Sequence, residues 1–389
     1  MQPSTERTLG SLLEGIEREL PRAVALRHRL HADPELAHAE QRTAAAVASE
    51  LPVDAHAAAG TGLIARVGPA GAAVAVRAEL DGLPVRELTG APWAAGGETM
   101  HACGHDVHMA ALVALARAAG ALGDALPAPL LAVFQPSEEA YPSGALELVQ
   151  GPLAEQQLRA VVAAHIHPSL AWGTVGLDAG AVNASADAVQ ITVQGRSTHG
   201  AYPHHGADPI LALAEVIVSL HAQLGRRIDP VAGASLTVGV IEGGSAENVI
   251  PAQASARALL RAHRPADRLE LRRMVEEVAA GVAAAHGCGA VVQLHPGEPA
   301  LENDAAIVAR ARALLDGAGL SAAPPWRSCG SDDFAFFGSL APVAIGFVGL
   351  HGAEGFRERP LHHPELLPPD AAVGAVARTQ ALLYLAGAG

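Results

Sequence analysis

Apolar residues recur at helical spacing from Leu12 to Leu30 and again from Gln41 to Leu51, after which Ala72 to Leu80 (AAVAVRAEL) predicts a strand buried on both faces. Helix and strand then alternate. His105 to Leu122 predicts a helix, Leu130 to Phe134 a short apolar strand, Ala145 to Gln150 a helical turn and Ala160 to His165 another strand. Such alternation predicts an α/β fold with a mostly parallel central sheet, helices on its faces and a ligand site beyond the carboxyl ends of the strands.

The pattern changes after Asp178. Ala188 to Gly195 alternates as a strand, Pro209 to Leu224 has a helical period, Ser235 to Ile241 and Gln253 to Arg261 are strands, Pro265 to His286 is a long amphipathic helix and Ala290 to His295 a last strand. The order β-α-β-β-α-β is that of a split, ferredoxin-like unit. Beyond Pro299 the first pattern resumes, with a helix near Asp304 to Leu315, a strand at Pro342 to Val348 and a C-terminal helix from Pro369 to Leu385. The expected organisation is a discontinuous α/β domain, residues 1–182 and 299–389, interrupted by a smaller α+β domain, residues 183–298.

A length of 389 residues suits two or three domains, and with 50% apolar and 17% charged residues the chain is expected to be globular. All 26 positive side chains are arginine, so a Schiff-base lysine, a pyridoxal-phosphate anchor and a Walker-type phosphate lysine are excluded. A net charge of −14 and 3% aromatic residues argue against nucleic acid and for a small-molecule partner. The mean hydropathy of +0.23 points toward a membrane. No membrane partner is expected, however, because the uncharged stretch Ala160 to Leu177 is broken by two histidines, a proline and two glycines. Met1 to Leu20 carries four glutamates and two arginines and does not read as a signal peptide, so the cytoplasm is the default compartment. The three cysteines are odd in number and widely spaced, which indicates neither a disulfide framework nor a zinc knuckle.

The 19 histidines carry the information. Met100 to His108 (MHACGHDVH) sets Cys103 and His105 where a loop feeds a helix, a place for soft metal ligands whose helix terminus is expected to favour the thiolate. Glu138 and Glu139 follow the strand ending at Phe134, where one carboxylate can bind a cation while the other acts as a base; a solvated surface pair is the plain alternative. His165 and His167 follow the next strand, and His362 and His363 stand in a loop before the last helix. One cysteine, one glutamate and three histidines from four separated segments make a dinuclear metal site plausible.

With these motifs in place, the sequence resembles the amidohydrolase branch of the dinuclear metal-dependent exopeptidases and aminoacylases, which includes hippurate hydrolases and auxin-conjugate hydrolases. The resemblance spans nearly the whole chain. It rests on His31-Ala32-Asp33-Pro34-Glu35-Leu36, Arg77 to Pro84, Met100 to His108, Gln135 to Glu139, His165 to Pro168, Gly195 to His204, Asp208-Pro209-Ile210, Gly243-Gly244 with Asn248 to Pro251, Gly330 to Phe334, and Leu361-His362. It implies two divalent ions (zinc, manganese, cobalt or nickel) held by Cys103, His105, Glu139, His165 and His362, with Glu138 as general base and Asp81 and Asp106 as carboxylates supporting the ligands.

The same resemblance makes the inserted domain a lid and dimerisation domain, His199 the histidine that stabilises the oxyanion, and Asn248 and Arg261 contacts for the substrate's amino-acid end. It implies hydrolysis of N-acyl amino acids and a homodimer or homotetramer, with the alternating strand Ala188 to Gly195 as the expected exposed edge. The sequence departs from the family at Glu79, where an aspartate is usual, and at Ser197-Thr198 before His199. Three alternatives stay open: a dipeptidase or carboxypeptidase of the same family, a hydrolase using Cys103 as nucleophile, and a metal-binding protein without catalysis.

Overall fold

The computed structural model describes residues 3–389, which divide into two units. The first contains the chain through Gly180, then Glu302–Trp326 and Phe336–Gly389; the second contains Ala181–Leu301 and Arg327–Ala335.

The first unit is built on a mixed eight-stranded sheet. Four neighbouring parallel strands form its centre, in the order Leu130–Gln135, Ala73–Glu79, Leu158–Ala171, Val343–His351. Ala73–Glu79 and Leu130–Gln135 are buried along their whole length, as expected of strands covered on both faces. The outer pairings depart from the parallel pattern: His56–Ala58 and Gly62–Val67 form an antiparallel hairpin that continues the sheet beyond Leu130–Gln135. These short outer strands were not legible as strands, because Gly60, Thr61 and Gly62 break the apolar run.

Helices Pro3–Ala32, His105–Leu122 and Ala371–Ala388 share a continuous apolar core with the sheet. The helices starting at His105 and Ala371 are long and apolar enough to cross a bilayer. Most of their residues are buried, which is the pattern of helices inside a globular core.

Three expectations need correction. The strand expected to stop at His165 runs on to Ala171, so His165 and His167 lie within it. Its neighbour Ala73–Glu79 pairs with it only as far as Ala163. Beyond that point Val343–His351 alone supports it, which also lets Pro168, with no N–H to donate, sit in the strand. The second correction concerns Arg327–Ala335, which packs with the second unit: the Ser328 carbonyl accepts from Ala184 N–H at 3.2 Å and faces His263 Nε2 at 3.0 Å.

The second unit holds a four-stranded antiparallel sheet in the order Ala234–Gly243, Gln253–Ala262, Ser185–Gln194, Gly289–Pro296, with helices Pro209–Arg227 and Pro265–Ala285 sharing its apolar core. Asp208 caps the first helix through Oδ1, 2.9 Å from Ile210 N. The strand expected to be an exposed edge is interior. Ser185–Gln194 is paired on both sides, and the edges are Ala234–Gly243 and Gly289–Pro296. Alternation of polar and apolar residues reports only that one face is solvated, and this sheet keeps one face free of helices.

Candidate metal centre

The central parallel strands bring the candidate residues together at their carboxyl ends. Ala73–Glu79 leads to Asp81 and on to Cys103 and His105, Leu130–Gln135 leads to Glu138 and Glu139, Leu158–Ala171 presents His165, and the loop after Val343–His351 presents His362. Gly104 makes the first approach possible. Its φ is +84°, and a Cβ there would lie 2.3 Å from Ile166 Cδ1, so only glycine lets Cys103 and His105 flank the tight turn.

Cys103 Sγ and ligand atoms of His105 and Glu139 all lie within 4.8 Å of one another. Glu139 Oε1 stands 3.2 Å from His362 Nε2, and Cys103 Sγ stands 3.5 Å from His165 Nε2. The structure therefore joins all five residues expected as ligands into one cluster. Glu138 borders it, with Oε2 3.9 Å from His105 Nε2.

The histidine tautomers suit metal binding. His105 Nδ1 donates to the Asp81 carbonyl at 2.8 Å and His165 Nδ1 to the Ile166 carbonyl at 2.7 Å, which leaves each Nε2 facing the cluster as the atom able to bind a cation, that of His105 when the cation displaces its proton. His105 Nε2 and Glu139 Oε1 are buried without a hydrogen bond, a costly state for groups whose chemistry needs an electrophile. Soft sulfur, imidazole and carboxylate donors so disposed fit a pair of borderline divalent ions.

The electrostatics agree. Burial pushes the Cys103 thiol well above its usual range, and the nearby Glu139, Glu138 and Glu79 push it further. Desolvation and three carboxylates oppose the helix terminus here, and a cation is what the thiolate requires. Burial alone would lower His105, but Glu79, Asp81 and Glu139 raise it to about 10. His165 is held well below its usual value by burial. A buried thiol beside carboxylates is also a poor nucleophile, which disfavours a Cys103-dependent hydrolase.

His108 and Glu79 also lie within metal-binding distance of His105 and His165. His108 is nevertheless saturated: Nδ1 meets Glu79 Oε2 at 2.8 Å and Nε2 accepts from Ile166 N–H at 3.0 Å. Glu79 also pairs with Arg77, which reaches Gln135 Oε1 at 2.8 Å. Sequence reading left this support network unassigned, although His108 closes the same motif as Cys103. Asp81 Oδ2 accepts from Glu139 N–H at 2.9 Å. Asp106 faces away from the cluster toward Arg27 and His31, at 3.0 Å from each.

In the second unit the two-residue strands Thr198–His199 and Val249–Ile250 pair, and Gly200 N–H donates to the Asn248 carbonyl at 2.7 Å, so His199 and Asn248 share one exposed turn. Arg261 lies on Gln253–Ala262 and donates from one Nη to the Cys329 carbonyl at 2.8 Å.

Known proteins resemble this chain along nearly its whole length. The N-acetyl-L-cysteine deacetylase of Bacillus subtilis is 33% identical over 368 residues, covering 93% of this chain and 86% of the relative. IAA-amino acid hydrolase ILR1-like 4 of Arabidopsis thaliana is 32% identical over 387 residues, covering 93% and 86%. The crystal structure of the Bacillus subtilis YXEP protein, described as a dinuclear metal binding peptidase from the M20 family, superposes with a TM-score of 0.84 at 27% identity, covering 95% of this chain and 98% of that one. Residues 75–383 match the profile of peptidase family M20/M25/M40. With a buried thiol, imidazole and carboxylate cluster at the strand ends and full-length relatives of this kind, the chain belongs to peptidase family M20/M25/M40 and is a metal-dependent amidohydrolase.

Proposed function

We propose that this protein hydrolyses the amide bond of N-acyl amino acids, of the N-acetyl or hippurate type, releasing a carboxylic acid and a free amino acid. The observation that carries the proposal is Glu138, a carboxylate beside the ligand Glu139 and 3.9 Å from the hydrogen-bond-free His105 Nε2. A storage or sensing site has no use for it. The named activities of the deacetylase and conjugate-hydrolase relatives support the substrate class.

Cys103, His105, Glu139, His165 and His362 hold two divalent ions in this reading, zinc, manganese, cobalt or nickel. When bound, the ions supply Lewis acidity to the amide carbonyl and lower the pKa of water toward neutrality. Glu138 takes the proton of the attacking water and returns it to the departing nitrogen. His199 donates to the developing oxyanion, and Asn248 and Arg261 receive the amino acid's carboxylate, the planar guanidinium suiting that anion. Residues 183–298 serve as lid and dimerisation domain, with Ala234–Gly243 or Gly289–Pro296 as the edge a second copy joins; light scattering reports the dimer or tetramer. A cleft of about 510 Å³ bordered by His167, Pro168, Pro360 and Leu361 adjoins His362 in the chain and offers space for the acyl group.

The test is release of amino acid from N-acetyl-L-methionine and N-benzoylglycine, abolished by chelator and restored by zinc or manganese. Glu138→Gln is expected to retain both ions and lower turnover by about 10²- to 10⁴-fold. Near-normal turnover in the variant removes Glu138 from the role; activity on dipeptides alone replaces acyl amino acids with peptides as substrate.

A further inference from the structure

We propose that Glu40 is a positioning residue for the general base, clamping the backbone that carries Glu138; this rests on the role of Glu138 proposed above. Glu138 sits on an unusual piece of chain. Ser137, just before it, is fully buried and has a φ of +47°, a left-handed conformation that a non-glycine residue adopts only at a cost of about 1 kcal/mol or more. The chain is also crowded at this bend: a Cβ on Gly144 would lie 1.8 Å from the Pro136 carbonyl oxygen, and Gly144 N–H donates to the Ser137 carbonyl at 3.0 Å. Such a bend persists only when its surroundings over-determine it.

Glu40 supplies a large part of that determination. It is fully buried just before helix Gln41–Ala48, with Oε1 accepting from Ser137 N–H at 2.8 Å and Oε2 accepting from Thr61 Oγ1 at 2.6 Å. His38 Nε2 meets Ser137 Oγ at 2.9 Å, and that hydroxyl also lies 2.8 Å from the Ala140 carbonyl. The clamp is anchored in turn. Glu35 Oε2 accepts from Thr43 N–H and Oγ1 at 2.7 and 3.0 Å, and the Glu35 carbonyl accepts from Gly82 N–H at 2.7 Å. Gly82 adjoins Asp81, whose Oδ2 holds Glu139 N–H. The Ser137-Glu138-Glu139 tripeptide is thus held at both ends by buried carboxylates, Glu40 at one and Asp81 at the other. Asp81 is bonded close to the ligands; Glu40 touches neither ligand nor substrate and acts through the Ser137 amide.

Glu40→Gln is nearly isosteric; its amide oxygen can still accept from Ser137 N–H while its NH₂ donates to the Thr61 hydroxyl, but the bond to Ser137 loses its charge assistance, loosening the bend without emptying space. Because a misplacement of about 1 Å costs on the order of 100-fold in rate, the variant is expected to lower kcat by about 10- to 100-fold. KM, the two-ion zinc stoichiometry measured by calorimetry on the chelated protein, and the melting temperature of the loaded protein should stay near wild type. The decisive comparison is Glu40→Gln placed in a Glu138→Gln background, where it should lower the residual rate no further. An additional tenfold loss there, or a loss of zinc binding equal to the loss of kcat, overturns the positioning role, as does an unchanged kcat in the single variant. Ser137→Ala, which keeps the amide bond to Glu40 and removes the hydroxyl contacts, should lose less than Glu40→Gln; a greater loss shifts the clamp from Glu40 to His38 and overturns the inference. If Glu138→Gln itself leaves kcat intact, the proposed base fails independently of the clamp.

Discussion

Two clusters of buried ionisable groups lie on either side of the start of helix His105–Leu122, and they differ in how their atoms are satisfied. Every side-chain nitrogen of Arg27 and of His31 meets an acceptor. Arg27 reaches Asp106, Asp370 and the Pro368 carbonyl at 3.0, 2.8 and 2.6 Å, and His31 bridges Asp106 and Glu87 at 3.0 and 3.1 Å. Asp106 Oδ1 is left over, and both ring nitrogens of the buried His101, 6.5 Å from the His31 ring, are also without a hydrogen bond. Around Cys103 and His105, by contrast, donors converge and His105 Nε2 and Glu139 Oε1 remain unbonded. Both clusters are rich in histidine and carboxylate; what separates them is that the unbonded atoms of His105 and Glu139 converge with a thiol on one point, where one electrophile satisfies them together.

The largest expected effect breaks the cluster around Arg27. Arg27 is fully buried over the Trp93 ring, 5.1 Å from its centroid, and Arg27→Met leaves Asp106 short of its main cation. Chemical denaturation should show a loss of about 3–5 kcal/mol, with the zinc stoichiometry unchanged. A loss below 1 kcal/mol means that the cluster is not structural.

The next prediction concerns pH. Burial opposes the charge of His31, but Asp106 and Glu87 hold its pKa at about 9, above the usual 6.5. A pKa raised in the folded state stabilises fully below pH 6.5, and that stabilisation disappears as pH rises through 9. The stability difference between the metal-loaded protein and His31→Gln should therefore shrink by on the order of 3 kcal/mol from pH 6.5 to 9. A difference that stays flat or grows with pH contradicts a charged His31.

The smallest effects sharpen the boundary inside the open cluster. His108→Gln should weaken zinc by about 10- to 100-fold while keeping two ions, since His108 only supports its neighbours, whereas Cys103→Ser should exceed about 100-fold with little change in metal-free stability. Equal effects of the two variants in a zinc titration would erase the distinction between ligand and support.

Much of this was legible in the chain. The apolar run from Ala73 to Glu79 and the largely apolar helix after His105 encode their burial directly, and Cys103, His105, Glu139, His165 and His362 stand out because each follows or interrupts a recognisable element. Glu40 was invisible as a functional residue, because a glutamate before a short helix usually faces water and its contact with Ser137 spans 97 positions. The interior position of Ser185–Gln194 was equally hidden, since strand order depends on which segments pair across long separations.

What the sequence by itself determined is therefore the local periodicity, the order of elements and the inventory of donors, all set by residue type and short-range spacing. Only the tertiary structure decided which histidines keep a free lone pair, how far the His165 strand outruns its neighbour and which carboxylates are bound to amides rather than open to a cation. Those outcomes depend on desolvation and on hydrogen-bond partners brought in from distant segments, and neither is encoded by any single stretch of chain.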